Sequence, residues 1–444
     1  MTVKRPSARV ATQRQRSLWN QLHRWLGIGL GVWFVLVGAT GALLVYRETV
    51  DAWLNPTLLR AGHAGDGTTA QLDAATIVEI AQQLPELGRV ERVRLPAGAG
   101  DVYRLQVRPL SSRVESGRME ALIHPASGSL LGMRSLEAMS LRPPDLLRTL
   151  YEFHRNVLLG NWGSNIVGVA GFLLLTSVIT GVVIAWPRRR RAWRRLVWVN
   201  TGASATRIAF DLHRSGGVLL ALLLLLSTLT GATLVYLNYV RDIVGVFSRV
   251  ETFPVLPWRT TADGEPVPLS TMLSQVQQAF AAHTVTEIHI PPRGNTGYLF
   301  YLRGRDDVHR LGDTIAWVHP MTGEILVERS DRTRSGGENF MHWLFPLHTG
   351  SAFGPGGLLA MCLTGAMPLL LVVTGLWVWL RKRRGERIGQ CASRLAAPLL
   401  PFAWDRFLDR VLRIAPGGLT VQPARYSPAR LWAGMSWREW PAPR

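Results

Sequence analysis

The sequence is nearly without cysteine. Only Cys362 and Cys391 occur in 444 residues, and neither lies in the long polar segments 55–153 and 241–347, so no intrachain disulfide is expected. No C-x-x-C-H run is present, which excludes covalent attachment of a c-type haem. The tail 385–444 has no Gly-rich nucleotide fingerprint, so no fused flavin or nicotinamide module is expected there. Charge is also missing, from four apolar runs: Trp25–Tyr46, Ile166–Trp186, Val218–Val240 and Leu358–Leu380. Each is 21 to 23 residues long, enough for a helix to cross a hydrocarbon core of ~30 Å. They are read as transmembrane helices, the first as a retained span because it is long for a signal peptide.

Acidic residues are scarce, with 30 Asp and Glu against 50 Lys and Arg and a net charge of +20. The distribution of this charge argues against nucleic acid as the partner. Residues 1–24 hold six basic residues and no acid, residues 187–214 hold eight arginines and one aspartate, and "RKRR" follows the fourth run. The segments between runs are balanced, with 11 basic and 11 acidic residues in 55–153 and 10 and 12 in 241–347. By the positive-inside rule the N-terminus, the middle loop and the tail are cytoplasmic, and the balanced segments lie outside.

What the chain does have is a repeat with a period of about 190 residues. "LHRWLGIGLGVWFVLVGATGALLVY" (22–46) aligns without a gap on "LHRSGGVLLALLLLLSTLTGATLVY" (212–236). "HRNVLLGNWG" (154–163) and "HTGSAFGPGG" (348–357) each lead to a later Thr-Gly. His to Thr is 17 residues in the first and third spans and 26 in the second and fourth. The outside segments correspond too: each has a candidate helix, alternating strand-like runs and an "HPASG" or "HPMTG" turn, which reads as a small α+β module. A parallel repeat about an axis along the membrane normal follows.

Of the 11 histidines, His124 and His319 are read as turn residues, and His283, His289 and His309 as surface or internally satisfied side chains. His23, His213, His154 and His348 differ, because each recurs at a membrane boundary where an ionisable group points to function. The pseudo-twofold axis sets His23 opposite His213 on the cytoplasmic side and His154 opposite His348 on the outer side. Facing imidazoles in a helical bundle suit axial ligation of haem iron, and two depths give two haems. Gly27 and Gly31, and Gly217 and Ala221, follow their histidines at helical spacing and are read as clearance for a flat cofactor; close helix packing is the other explanation. His342, six residues before His348, lies about 240° around a helix from it and cannot face the same iron. Pro368 has no counterpart in the second span and is expected to kink the fourth.

With these residues the sequence resembles the PepSY-associated transmembrane helix family. The resemblance is carried by "LHRWLGIGLG" with "TGALLVY", by "WLFPLHTGSAFG" with "VTGLWVWLRKRR", and by the modules ending in "HPASG" and "HPMTG". It implies a bacterial inner-membrane protein with two periplasmic α+β PepSY-like modules on a four-helix transmembrane bundle built as a two-fold repeat. The expected order is cytoplasmic 1–24, span 25–46, module 55–150, outer entry and span 154–186, basic cytoplasmic loop 187–212, span 213–240, module 241–345, outer entry and span 348–380, and cytoplasmic tail 381–444. It implies haem b at His23, His213, His154 and His348 as bis-His ligands, and reduction of a ferric siderophore or similar ferric chelate for iron release. The electron donor would be separate, either quinol or a cytoplasmic reductase. A membrane-anchored PepSY binding or regulatory protein without redox activity is the alternative, and a transporter is a second one, weakened because no span carries an acidic residue in its apolar core.

Overall fold

The computed structural model describes residues 8–61, 71–109, 117–187, 193–250, 266–291, 297–330 and 332–396. Residues Met1–Trp379 form one compact unit; the second, Leu380–Arg444, is described as far as Ala396, where it is helical.

In chain order the first half contains α1 (Ala8–Val45), α2 (Arg47–Leu54), α3 (Pro56–Leu59), α4 (Ala74–Gln83), β1 (Arg89–Arg94), β2 (Tyr103–Arg108), β3 (Met119–Ile123), β4 (Leu130–Ser135), α5 (Pro143–Asn156) and α6 (Gly160–Ala185). The short α7 (Trp193–Val197) leads to the second half: α8 (Ala205–Leu219), α9 (Ala221–Val235), α10 (Leu237–Phe247), α11 (Leu269–Ala279), β5 (Thr284–His289), β6 (Tyr298–Arg303), β7 (Thr314–Val318), β8 (Ile325–Arg329), α12 (Gly336–Thr349) and α13 (Gly354–Ala396).

Three stretches are long and apolar enough to cross a membrane alone: Ser17–Val45, Gly160–Ala185 and Ser351–Arg387. The expected span 213–240 is not one straight helix. It is the pair α8 and α9, bent by 59° at Leu220. Charge explains part of the difference, since α8 carries Arg207, Asp211 and Arg214 while α9 is apolar throughout. The run Ser215-Gly216-Gly217 explains the rest, because adjacent Ser and Gly are frequent sites of sharp helix bends. Pro368 does not interrupt α13; its ring packs where α1 and α13 approach most closely, a Cβ on Gly38 lying 3.1 Å from Pro368 and closer still to the Gly365 carbonyl. Only glycine permits that crossing. The protein is thus a multi-pass helical membrane protein, with three spans or, if the bent pair is one span, four.

The two α+β modules are not separate. Their strands join in one antiparallel eight-stranded sheet of order β4-β3-β2-β1-β5-β6-β7-β8. The seam is β1 against β5, with Arg92 opposite His289, Val93 opposite Ile288 and Arg94 opposite Glu287. Each four-stranded module alone would have two unpaired edges, and pairing β1 with β5 removes one from each, leaving β4 and β8 at the ends. Alternation directs Tyr103, Leu105 and Val107 to one face, where they share a core with Val93, Ile288, Phe300 and Leu302 and with α4 and α11. The opposite face meets the short helices α2 and α3 through a second apolar cluster of Leu59, Val102 and Leu122 and through ion pairs: Arg134 of β4 pairs with Asp51 of α2 at 2.9 Å and with Glu120 at 2.6 Å.

Glu287 is buried at the seam and pairs with Arg94 at 2.9 Å and His289 at 2.7 Å. Burial by itself raises its carboxyl, but the His289 hydrogen bond and the Arg94 charge outweigh that and hold it below the ordinary glutamate value. A carboxyl lowered on folding stabilises the fold above its unfolded pKa, and this contribution is lost as pH falls through the folded value. Glu287→Gln is therefore expected to cost about 2 kcal/mol and to flatten the acid loosening of the seam. Hydrogen exchange of β1 and β5 amides between about pH 7 and about pH 4 measures both effects.

Candidate functional site

His23 on α1 and His213 on α8 face each other, with ring centroids 6.0 Å apart and planes at 80°. His154 on α5 and His348 on α12 do the same, at 6.2 Å and 47°. The four histidines singled out in the sequence therefore meet as two pairs, each with one member from each half.

Every ring is seated in the same way. The Nδ1–H of His23 donates to the Ser177 carbonyl at 2.9 Å and lies 3.2 Å from Thr180 Oγ1. For His154 the partners are the Val37 carbonyl at 3.0 Å and Thr40 at 3.3 Å. For His213 they are the Leu371 carbonyl at 2.8 Å and Thr374 at 3.3 Å, and for His348 the Ser227 carbonyl at 3.1 Å and Thr230 at 3.2 Å. Each threonine spends its own proton on a carbonyl of its helix, so toward the imidazole it is an acceptor. The glycine after each threonine completes the seat. A Cβ at Gly181, Gly41, Gly375 or Gly231 would stand 2.9 to 3.0 Å from the Cε1 of His23, His154, His213 or His348 respectively, closer than side-chain carbons approach. The repeated Thr-Gly thus has a physical role, which is to fix the histidine of the neighbouring helix in the same half.

Protonation at Nδ1 leaves the Nε2 lone pair for a metal, and none of the four Nε2 atoms has a hydrogen-bond partner among the described residues. A ligating histidine held through its other nitrogen by a backbone carbonyl is the usual outer arrangement of a metal site. Imidazole nitrogens bond first-row metals at ~2 Å and the ring centroid sits ~1.1 Å further back, so two imidazoles on opposite sides of one iron have centroids roughly 6 Å apart. Both pairs fit that spacing.

The approach to the His154/His348 pair is built on backbone contact. A Cβ at Gly163 would fall on the Asn156 carbonyl, and one at Gly357 on the Gly350 carbonyl. In both halves a glycine nine residues after the histidine therefore closes the corner into the following helix. The two glycines that follow His23 divide. A Cβ at Gly27 would meet nothing within 4 Å, as clearance requires, whereas one at Gly31 would meet Val372 at 3.1 Å, so Gly31 is a packing contact. Arg24 and Arg155 lie over the rings of Trp25 and Tyr151, and Arg214 pairs with Asp211 at 2.9 Å.

His124 and His319 accept from backbone amides of their own turns, as the His-Pro-x-x-Gly pattern indicated. His342 turns away from the outer pair. It bonds Asp313 at 3.0 Å and the Arg334 guanidinium at 3.0 Å, and its ring lies 4.1 Å from that of His309. The loop residue His309, read in the sequence as an ordinary side chain, has no periodic or repeated signal that would have marked it. His309, Asp313 and His342 offer ligand atoms within 4.8 Å of one another. Both nitrogens of His342 are already engaged, however, and a guanidinium at that distance opposes a cation. Burial, above all, lowers the His309 imidazole, with the neighbouring His342 adding to the effect against its backbone bond.

Facing histidine pairs seated against apolar helices, beside an antiparallel sheet, define a multi-pass membrane protein with two candidate metal centres. The chain belongs to the family of the PepSY-associated TM region, whose family model matches residues 20–382. A comparison with curated proteins gives no match.

Proposed function

We propose that this protein is a di-haem electron-transfer protein of a bacterial inner membrane, reducing a periplasmic ferric siderophore or similar ferric chelate so that iron is released. The observation that carries this reading is the pair of facing histidine sets, spaced at 6.0 and 6.2 Å and each seated through Nδ1. In this reading α8 and α9 together form one span, the basic flanks are cytoplasmic, and the sheet of the two PepSY-like modules lies in the periplasm. His23 with His213, and His154 with His348, would each hold one b-type haem through Nε2, and the group would supply one-electron transfer rather than oxygen chemistry.

The chain's own residues hold and separate the two centres. Thr40, which touches His154, comes 17 residues after His23, or ~25 Å along α1, so the pairs stand near opposite faces of the membrane. The carbonyl bonds to Nδ1 orient each ring and make Nε2 a better donor. The donor of electrons is quinol or a separate cytoplasmic reductase. One electron converts Fe³⁺ to Fe²⁺, which hard oxygen ligands hold less strongly, and the chelate opens.

The test is anaerobic. Protein reduced in advance and mixed with ferric citrate is expected to reoxidise as one Fe²⁺ per electron is captured by a ferrous-specific dye. A reduced protein that no ferric chelate reoxidises contradicts the proposal.

A further inference from the structure

Charge on the two outer segments is balanced in the sequence but not in space. On the face of the sheet opposite α4 and α11, near the seam, lie two adjoining cavities of about 470 and 320 Å³ that share Arg94, Arg310 and Leu311. Together they are lined by seven arginines against three carboxylates, Glu48, Asp101 and Asp313. The carboxylates are largely committed, since Glu48 pairs with Arg94 and Arg310 and Asp313 bonds His342. Arg47, Arg104, Arg303 and Arg305 form no ion pair among the described residues. Arg310, with 48% of its side chain exposed, is nevertheless lowered to about 10 by lost solvent in the cleft and by the charge of Arg47. Cations gathered in a concave site focus a positive potential that attracts and stabilises an anion. The cleft and the His154/His348 pair share α12, because the lining includes His342 and Phe345, and His348 follows His342 by six residues, ~9 Å along the helix.

We infer that this arginine-lined cleft is the docking site of the electron acceptor, and that the acceptor is an anionic chelate whose metal is held by catecholate or carboxylate oxygens. The acceptor role rests on the function proposed above; the charge preference does not. A tris-catecholate complex of a trivalent metal is negative. A tris-hydroxamate is neutral, or positive when the chelator carries a pendant ammonium, and gains nothing from the arginines.

Gallium complexes separate the two questions, because Ga³⁺ matches Fe³⁺ in charge and size yet is not reduced. The purified full chain is titrated with Ga³⁺ tris-catecholate and with a cationic Ga³⁺ tris-hydroxamate, and binding is followed by calorimetry. The catecholate is expected to bind at least roughly tenfold tighter, with an affinity that falls as salt rises. Arg47→Gln with Arg104→Gln is expected to weaken the anion roughly tenfold or more without affecting the cation, and the corresponding lysine pair to recover most of the loss. The exposed pair Arg303→Gln with Arg305→Gln is expected to act in the same direction, and Arg118→Gln, away from the cleft, to change nothing. Equal affinity for the two complexes, preference for the cation, or indifference to both glutamine pairs overturns the inference. A protein without haem that still selects the anion refutes the electron-transfer reading alone. A haem protein that reduces ferric chelates and shows no anion preference refutes the cleft alone.

Discussion

Replacing His154 by alanine is expected to lower the haem content of the purified protein from two per chain to one. Its partner His348 sits 6.2 Å away, centroid to centroid, and cannot supply both axial bonds alone. The outer site then empties, and about half of the low-spin signal is lost with it. His348→Ala is expected to remove the same half, and the double variant no more than either single one, because both act on one iron. His23→Ala is expected to remove the other half, together with nothing further from His213→Ala. Combining His23→Ala with His154→Ala leaves a protein without haem. If His23→Ala and His154→Ala erase the same spectral component, the pairing across the two halves is wrong. Pyridine haemochrome content and the reduced spectrum of each variant decide the matter.

The second large effect is expected from a residue that touches no cofactor. Valine at Gly41 would put its Cβ 2.9 Å from His154 Cε1 and its methyl groups closer, driving the ring off its bonds to Val37 and Thr40. Loss of outer support of this kind typically lowers metal affinity ~10–100-fold, so Gly41→Val is expected to lose the outer haem as His154→Ala does. Gly181→Val is expected to lose the inner one, since its Cβ would meet His23. Gly29 has nothing within 4 Å, and Gly29→Ala in the same helix is the control for insertion and folding. Thr40→Val is milder: the carbonyl bond from Nδ1 survives, and the expected change is a shifted reduction potential with the haem retained. Two haems and an unshifted spectrum in Gly41→Val would show that the Thr-Gly seat does not position the imidazole.

The histidines were legible because residues that meet as pairs across a repeat leave a repeated mark. Leu-His-Arg opens both halves, and the spacings to Thr-Gly agree to the residue. Thr-Gly itself was visible only as a marker. Its role depends on which helix lies alongside, and the histidine it seats is on another helix, 114 to 161 residues away. The strands and the helices α4 and α11 follow from alternation and apolar spacing. The β1–β5 seam does not, because edge pairing between two such distant segments adds nothing to the local pattern of either. The bend at Leu220 falls just inside the apolar run Val218–Val240, and its traces are the charges of α8 and the run Ser215-Gly216-Gly217 before it. The arginine cleft was obscured by averaging: segments with balanced charge fold so that their arginines converge, and its members range from Arg47 to Arg334.

The central claim is that the two histidine pairs hold iron. Its most direct test is the visible spectrum of the purified full chain, oxidised and then reduced with dithionite, together with a haem count per chain. The account predicts two haems per chain and sharp low-spin bands on reduction, with the reduced spectrum unaltered by carbon monoxide and the oxidised one unaltered by cyanide because both axial positions are filled. A colourless protein, well folded and carrying all four histidines, would contradict it.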